Sequence, residues 1–190
     1  MRVYACTMLE RFIADFSRLL LARPDEARIR REGGALLGGL IEDEGWLPAT
    51  HAVPGADRFR QYLLYRDPLS RFSVVSFVWG PGQETPIHDH TVWGLIGVLR
   101  GAELSQGYRF TGSGRLEAAG APLRIERGQV EAVSPAIGDI HRVRNAFDDR
   151  TSISIHVYGA DIGAVERSVY TEDGQRRPFV SGYSPLPELT

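Results

Sequence analysis

The sequence predicts a mainly β protein, a sandwich or barrel of short strands preceded by N-terminal helices. Three observations predict it. From Phe59 onward, short runs rich in apolar, β-branched and aromatic residues alternate with turn-forming residues. Gly80-Pro81-Gly82, Thr111-Gly112-Ser113-Gly114 and Ala119-Gly120-Ala121-Pro122 separate these runs. Before Phe59 the apolar residues recur at helical spacing instead.

The first helix is expected over 7–22. Leu9, Phe12, Ile13, Phe16, Leu19 and Leu20 form its apolar stripe. Thr7 is placed to cap it, with Glu10 three residues on in the reciprocal capping position. Pro24 ends it, and a second helical stretch runs from about Asp25 to Glu42, weakened by the Gly33-Gly34 and Gly38-Gly39 pairs. Strands are expected over 59–65, 72–79, 93–99, 104–110, 115–118, 122–127, 130–134, 140–146 and 151–158. The tail after Asp161, with Pro178, Pro185 and Pro187, reads as mixed loop. No repeat and no second domain is visible. The organisation is one domain over 1–190: an N-terminal helical region over 1–45, a barrel over 59–160 and a C-terminal extension over 161–190.

A chain of 190 residues can bury a sizeable core. Its net charge of −2 provides no basic footprint for nucleic acid or an anionic membrane. Every basic residue is Arg, so lysine Schiff-base chemistry is excluded. Cys6 has no intrachain disulfide partner, which fits a reducing cytoplasm. Glu10, Arg11, Asp15 and Arg18 interrupt any signal-peptide-like run. No stretch approaches the ~18 apolar residues of a membrane span. No nucleic-acid or membrane partner is expected, the expected compartment is the cytoplasm, and the oligomeric state stays open.

Four of the five histidines fall in two regions. His88 and His90 lie in Gly82-Gln-Glu-Thr-Pro-Ile-His88-Asp89-His90, and His141 lies in Gly138-Asp-Ile-His141-Arg-Val-Arg-Asn145. His156 follows in Ser154-Ile-His156-Val-Tyr158. In an extended segment residues i and i+2 share a face, so His88 and His90 aim at one point. A third His from a neighbouring strand would close a three-nitrogen site, suited to Zn, Cu, Fe or Ni. Asp89, between the ligands, should face away and act as a structural hydrogen-bonder. Ser154, His156 and Tyr158 alternate and would share a face.

The two stretches resemble the two cupin motifs. The first runs Gly82-x5-His88-x-His90-x3-Gly94-x6-Gly101, and the second Pro135-x2-Gly138-x2-His141-x3-Asn145. Most cupins carry a ligating Glu where this chain has Gly94, so the resemblance points to the three-histidine branch. It implies a double-stranded β-helix, a jelly-roll barrel. Within that branch the chain resembles the thiol dioxygenases of the cysteine dioxygenase type, from about Phe59 to about Tyr183. Pro86-Ile-His88-Asp89-His90-Thr91 and Ser154-x-His156-x-Tyr158 carry this likeness. It implies Fe(2+) bound by His88, His90 and His141, with a Ser154–His156–Tyr158 relay beside it. The implied reaction inserts both atoms of O2 into a thiol sulfur to give a sulfinic acid, as in sulfur amino-acid metabolism.

Two departures bear on the substrate. Animal cysteine dioxygenases have a Cys that cross-links to the Tyr matching Tyr158; Gly94 stands there in this chain, so no thioether is expected. They also grip the substrate carboxylate with an Arg where register places Gln61. Strand alternation lets only one of Arg60 and Gln61 enter the pocket. Gln lacks the bidentate guanidinium fork that matches a carboxylate. Bacterial 3-mercaptopropionate dioxygenases are more similar on these counts, and they carry an Arg soon after the relay Tyr, which Arg167 matches. The resemblance then implies that Arg167 reaches the carboxylate through Tyr or water, with Gln61 nearby. The substrate order is 3-mercaptopropionate before L-cysteine. Other readings are a three-histidine cupin that cleaves diketones or isomerises sugars, and a cupin that only binds a small ligand.

Overall fold

The computed structural model describes residues 7–188. Cys6 lies outside them. Helix α1 spans Met8–Leu21, with the capping box in place: Thr7 Oγ1 accepts from the Glu10 N–H at 3.2 Å, and Glu10 Oε2 accepts from the Thr7 N–H at 2.8 Å. The second helical stretch is one short α-turn, α2 (Glu26–Arg28), a π-helical turn (Ile29–Gly33) and α3 (Gly34–Leu40). Gly33 has a packing reason to be there. A Cβ on it would stand 2.8 Å from the Phe16 ring, so glycine lets this stretch press against α1.

Nine strands match expectation to within two residues at each end: β1 (Arg60–Arg66), β2 (Ser73–Trp79), β4 (Gly94–Arg100), β5 (Ala102–Phe110), β6 (Leu116–Ala118), β7 (Leu123–Glu126), β8 (Val130–Val133), β9 (His141–Asn145) and β10 (Ser152–Tyr158). Three further strands do not follow from the sequence pattern: β3 (Ile87–His88), β11 (Arg167–Tyr170) and β12 (Arg176–Phe179). The tail is therefore not only loop. Strands of two to four residues show no readable alternation, and β11 exists because it pairs with β3, about eighty residues away in sequence. Pro178 is tolerated because β12 is an edge strand.

The strands form two antiparallel sheets. One runs β1-β2-β10-β4-β8, the other β12-β11-β3-β9-β5-β6 with β7 also on β5. The fold is a double-stranded β-helix. The first sheet is covered on both faces, which is why every residue of β2 and β10 is buried and both read as nearly continuous apolar runs. Val74, Val78, Ile153, Ile155 and Val157 face the helices and pack with Phe12, Phe16, Leu37, Leu40 and Ile41. The alternate set, Val75, Phe77, Trp79 and Tyr158, faces the barrel interior. The one-in-two period thus assigns Ser154, His156 and Tyr158 to the interior.

Asn145, the last residue of the second motif, ties the strand ends together. Its Nδ2 lies 3.1 Å from the Trp79 carbonyl, 2.9 Å from that of Gly80 and 2.8 Å from that of Arg150. Its Oδ1 accepts from the Phe147 N–H and the Ser152 hydroxyl. Asn145 is fully buried, so truncation strands several polar groups away from water, each costing about 1–3 kcal/mol. Asn145→Ala should lower the unfolding free energy by at least ~3 kcal/mol, read as a lower denaturant midpoint at unchanged slope.

Candidate metal centre and its cavity

His88 and His141 are direct cross-strand partners on β3 and β9. His90 follows two residues after His88, just beyond the strand. The turn there includes Thr91 at φ 60°, and the His90 and Thr91 N–H groups both donate to Asp139 Oδ2, at 3.0 and 2.9 Å. The three imidazoles converge, with one ring nitrogen from each lying within 4.8 Å of the others. All three side chains are buried.

Hydrogen bonds select which nitrogen faces inward. His88 Nδ1 lies 3.0 Å from the Pro86 carbonyl and His90 Nδ1 lies 2.9 Å from Asp139 Oδ1. Both partners are acceptors, so each Nδ1 carries its proton and each Nε2 keeps a lone pair. His141 Nδ1 is held at 3.1 Å by the Ser105 hydroxyl, which again leaves Nε2 for the centre. Burial pushes the His88 imidazole down to about 4, and His90 and His141 well below the ordinary histidine value. Neutral imidazoles oriented by outer partners are the form a divalent transition metal takes. The donor set fits such an ion without naming it.

Asp89 does face away. Its Oδ1 accepts from the Ser168 N–H at 2.7 Å and its Oδ2 from the Tyr170 hydroxyl at 2.6 Å, which binds β11 to the histidine segment. Beside the cluster, Ser154 Oγ lies 2.7 Å from His156 Nε2, and His156 Nδ1 lies 2.8 Å from the Tyr158 hydroxyl. The Tyr158 ring stacks on His90 at 5.4 Å between centroids, and His156 stacks on Phe77 at 4.1 Å. Burial pushes the Tyr158 hydroxyl up, and the Arg167 charge pulls the other way. Tyr158 is also the register partner of Gly94, where a Cβ would stand 2.9 Å from the Tyr158 ring. A side chain at position 94 would displace Tyr158 from its place over His90.

A cavity of roughly 330 Å³ opens onto the three histidines and onto His156, Tyr158, Gln61 and Arg167. Arg60 also lines it from a half-buried position, which corrects the strict alternation expected from sequence: β1 begins at this residue, so the pleat does not yet govern it. Both Gln61 N–H donors are committed, to Ser181 Oγ at 2.9 Å and the Gly182 carbonyl at 2.5 Å, so Gln61 fastens the C-terminal segment over the cavity. Arg167, 4% exposed, donates from Nη2 to Ser181 Oγ at 2.6 Å and lies over the Phe179 ring at 4.7 Å. Among the described residues its buried Nε has no partner, and it forms no ion pair. No acidic residue among them lines the cavity, whereas Arg58, Arg60 and Arg167 do. Asp139, Ser105 and Ser181 have no signature in the sequence, because each acts across a contact between distant segments.

No protein-family model matches the chain. Among solved structures, an RmlC-like cupin protein from Desulfovibrio desulfuricans is similar at 25% identity and TM-score 0.45, over 62% of this chain and 95% of that one. An uncharacterized protein with a double-stranded β-helix domain from Klebsiella pneumoniae is similar at 16% identity and TM-score 0.47, over 71% and 97%. An oxalate oxidase is similar at 17% identity and TM-score 0.38, over 47% and 42%. The fold assignment rests on the strand order itself.

Two measurements follow from this geometry. Asp139→Asn should weaken divalent-metal affinity about 10- to 100-fold in a competitive chelator titration, since it loosens the partner of His90. Metal-free protein should lose stability as pH falls from about 6.5 toward 4. Over that window the unfolded chain protonates His88, His90, His141 and His156 while the folded chain does not. The unfolded state then binds more protons, so each imidazole contributes a slope of up to ~1.4 kcal/mol per pH unit. Denaturant midpoints measured across that range check it.

Proposed function

We propose that the protein is a mononuclear non-haem iron thiol dioxygenase that converts a small thiol carboxylic acid, 3-mercaptopropionate before L-cysteine, to its sulfinic acid. One observation carries this reading: a buried guanidinium with no ion-pair partner among the described residues lines the same small cavity as three neutral imidazoles. The cavity is thereby chemically two-ended. One end suits a metal and a soft anionic ligand, the other an anion that pairs with Arg167. A short molecule with a thiol and a carboxylate satisfies both ends.

Iron(II) held by His88, His90 and His141 would supply a site where a thiol binds as thiolate and O2 is activated. The remaining contributions come from the chain. Arg167 lines the cavity with no ion-pair partner among the described residues, so its guanidinium would pair with a substrate carboxylate. Ser181 Oγ already accepts from Gln61 and Arg167, so its own proton is available to the same group. Gln61 therefore acts through Ser181 rather than as a direct donor. Tyr158, aimed by His156, holds a hydroxyl proton beside the histidine cluster. The preference for a substrate without an amino group rests on the lining: an ammonium would meet arginines and no carboxylate.

Oxygen uptake by the iron(II)-reconstituted protein with 3-mercaptopropionate, and separately with L-cysteine, tests the proposal when the sulfinate is confirmed by mass. Turnover favouring 3-mercaptopropionate is expected. A preference for L-cysteine would overturn the substrate assignment, and no thiol-dependent uptake with iron bound would overturn the reaction. Removing a charge-assisted contact worth about 1.5–3 kcal/mol, Arg167→Ala should raise KM for the thiol acid about 10- to 100-fold. An unchanged KM and kcat would sink the role of Arg167.

A further inference from the structure

Beyond Ser154 lies a carboxyl group with no assigned task. Glu103, on β5, is fully buried, and neither of its oxygens completes a hydrogen bond among the described residues. Its polar neighbours are Ser154 of β10 and Trp79 of β2. Its register partners are Asn145 of β9, whose amide is committed elsewhere, and apolar Ile125 of β7. The titratable groups on its side of the barrel are His156 and Tyr158, and no cation offsets its charge among the described residues. Burial pushes the Glu103 carboxyl up to about 7, against the pull of Ser154 and Trp79.

We propose that Glu103 is a positioning residue that sets the hydrogen-bond direction of the Ser154–His156–Tyr158 relay. Ser154 has one hydrogen-bonding position left for Glu103. Its hydroxyl has one proton and two lone pairs. The Trp79 indole N–H, which can only donate, takes one lone pair at 3.1 Å. Glu103 is its remaining polar neighbour, so in the proposed arrangement, with Glu103 turned to meet Ser154, the proton and the other lone pair are divided between Glu103 and His156 Nε2, which lies 2.7 Å away.

Protonated Glu103 donates to Ser154, Ser154 donates to His156 Nε2, and His156 Nδ1–H donates to the Tyr158 oxygen. The Tyr158 proton then points into the cavity. With Glu103 ionised every bond reverses: Ser154 donates to the carboxylate, His156 carries its proton on Nε2, and Tyr158 turns its proton back to Nδ1. The two states differ by one proton, on Glu103 alone. A hydroxyl beside the histidine cluster is a donor in one state and an acceptor in the other. This inference needs only the relay, so its failure leaves the thiol dioxygenase reading standing.

Nitrogen-15 histidine NMR on the full-length protein, loaded with zinc(II) to keep the site diamagnetic, reads the tautomer of His156. In the wild type its Nδ1 and Nε2 signals should exchange character as pH rises through about 7, from Nδ1–H to Nε2–H. Glu103→Gln keeps a donor toward Ser154 at every pH, so His156 should stay Nδ1–H throughout. Glu103→Leu, a second variant with no polar group at position 103, should also show no exchange. A wild-type tautomer indifferent to pH, or an exchange that persists in either variant, would overturn the proposal.

Discussion

Desolvation governs this molecule. Four imidazoles, a guanidinium and a carboxyl group are enclosed in one barrel, where an unpaired charge or an unmet polar group is expensive. The interior answers by keeping the imidazoles neutral and giving each a hydrogen-bond partner: Pro86, Asp139 and Ser105 for the cluster, Ser154 and Tyr158 for His156. These partners also decide which lone pairs point at the centre. The feature that excludes protons from the imidazoles is therefore the one that prepares them to receive a metal.

The helices belong to the same logic. A sheet that lines a dry cavity on one face must be sealed on the other. The α1 and α3 stripes seal it with Phe12, Phe16, Leu37 and Leu40. The sealed sheet then presents Phe77, Trp79, His156 and Tyr158 at defined positions. Glycine at 33 and 94 serves this arrangement by removing side chains where a ring must approach, Phe16 in one case and Tyr158 in the other.

The opposite sheet supplies the polarity of the cavity. Asp89 joins β11 to the histidine segment through Ser168 and Tyr170, and β11 carries Arg167. The ligand motif and the cation are thus mechanically one unit. The C-terminal segment closes the other side, with Ser181 bridging Gln61 and Arg167. It is held by hydrogen bonds to Gln61, Gly163 and Arg167 and by Tyr183, which packs against the interior cluster.

The sequence by itself determined the barrel, because periodic features are local: an alternating strand or a 3.6-residue stripe is visible in a short window. The shared face of Ser154, His156 and Tyr158 was legible for the same reason, since they alternate along one strand, whereas His88, His90 and His141 were picked out by motif resemblance and meet through a turn just after β3. What the tertiary structure alone decided are contacts between distant segments. Asp139 and Ser105 orient ligands they do not adjoin in sequence. β11 became a strand only by meeting β3. Gln61 proved to spend its donors on Ser181 and Gly182, and Glu103 came to rest behind Ser154. A side chain's partners across the barrel depend on register and closure, and no short window of sequence contains either.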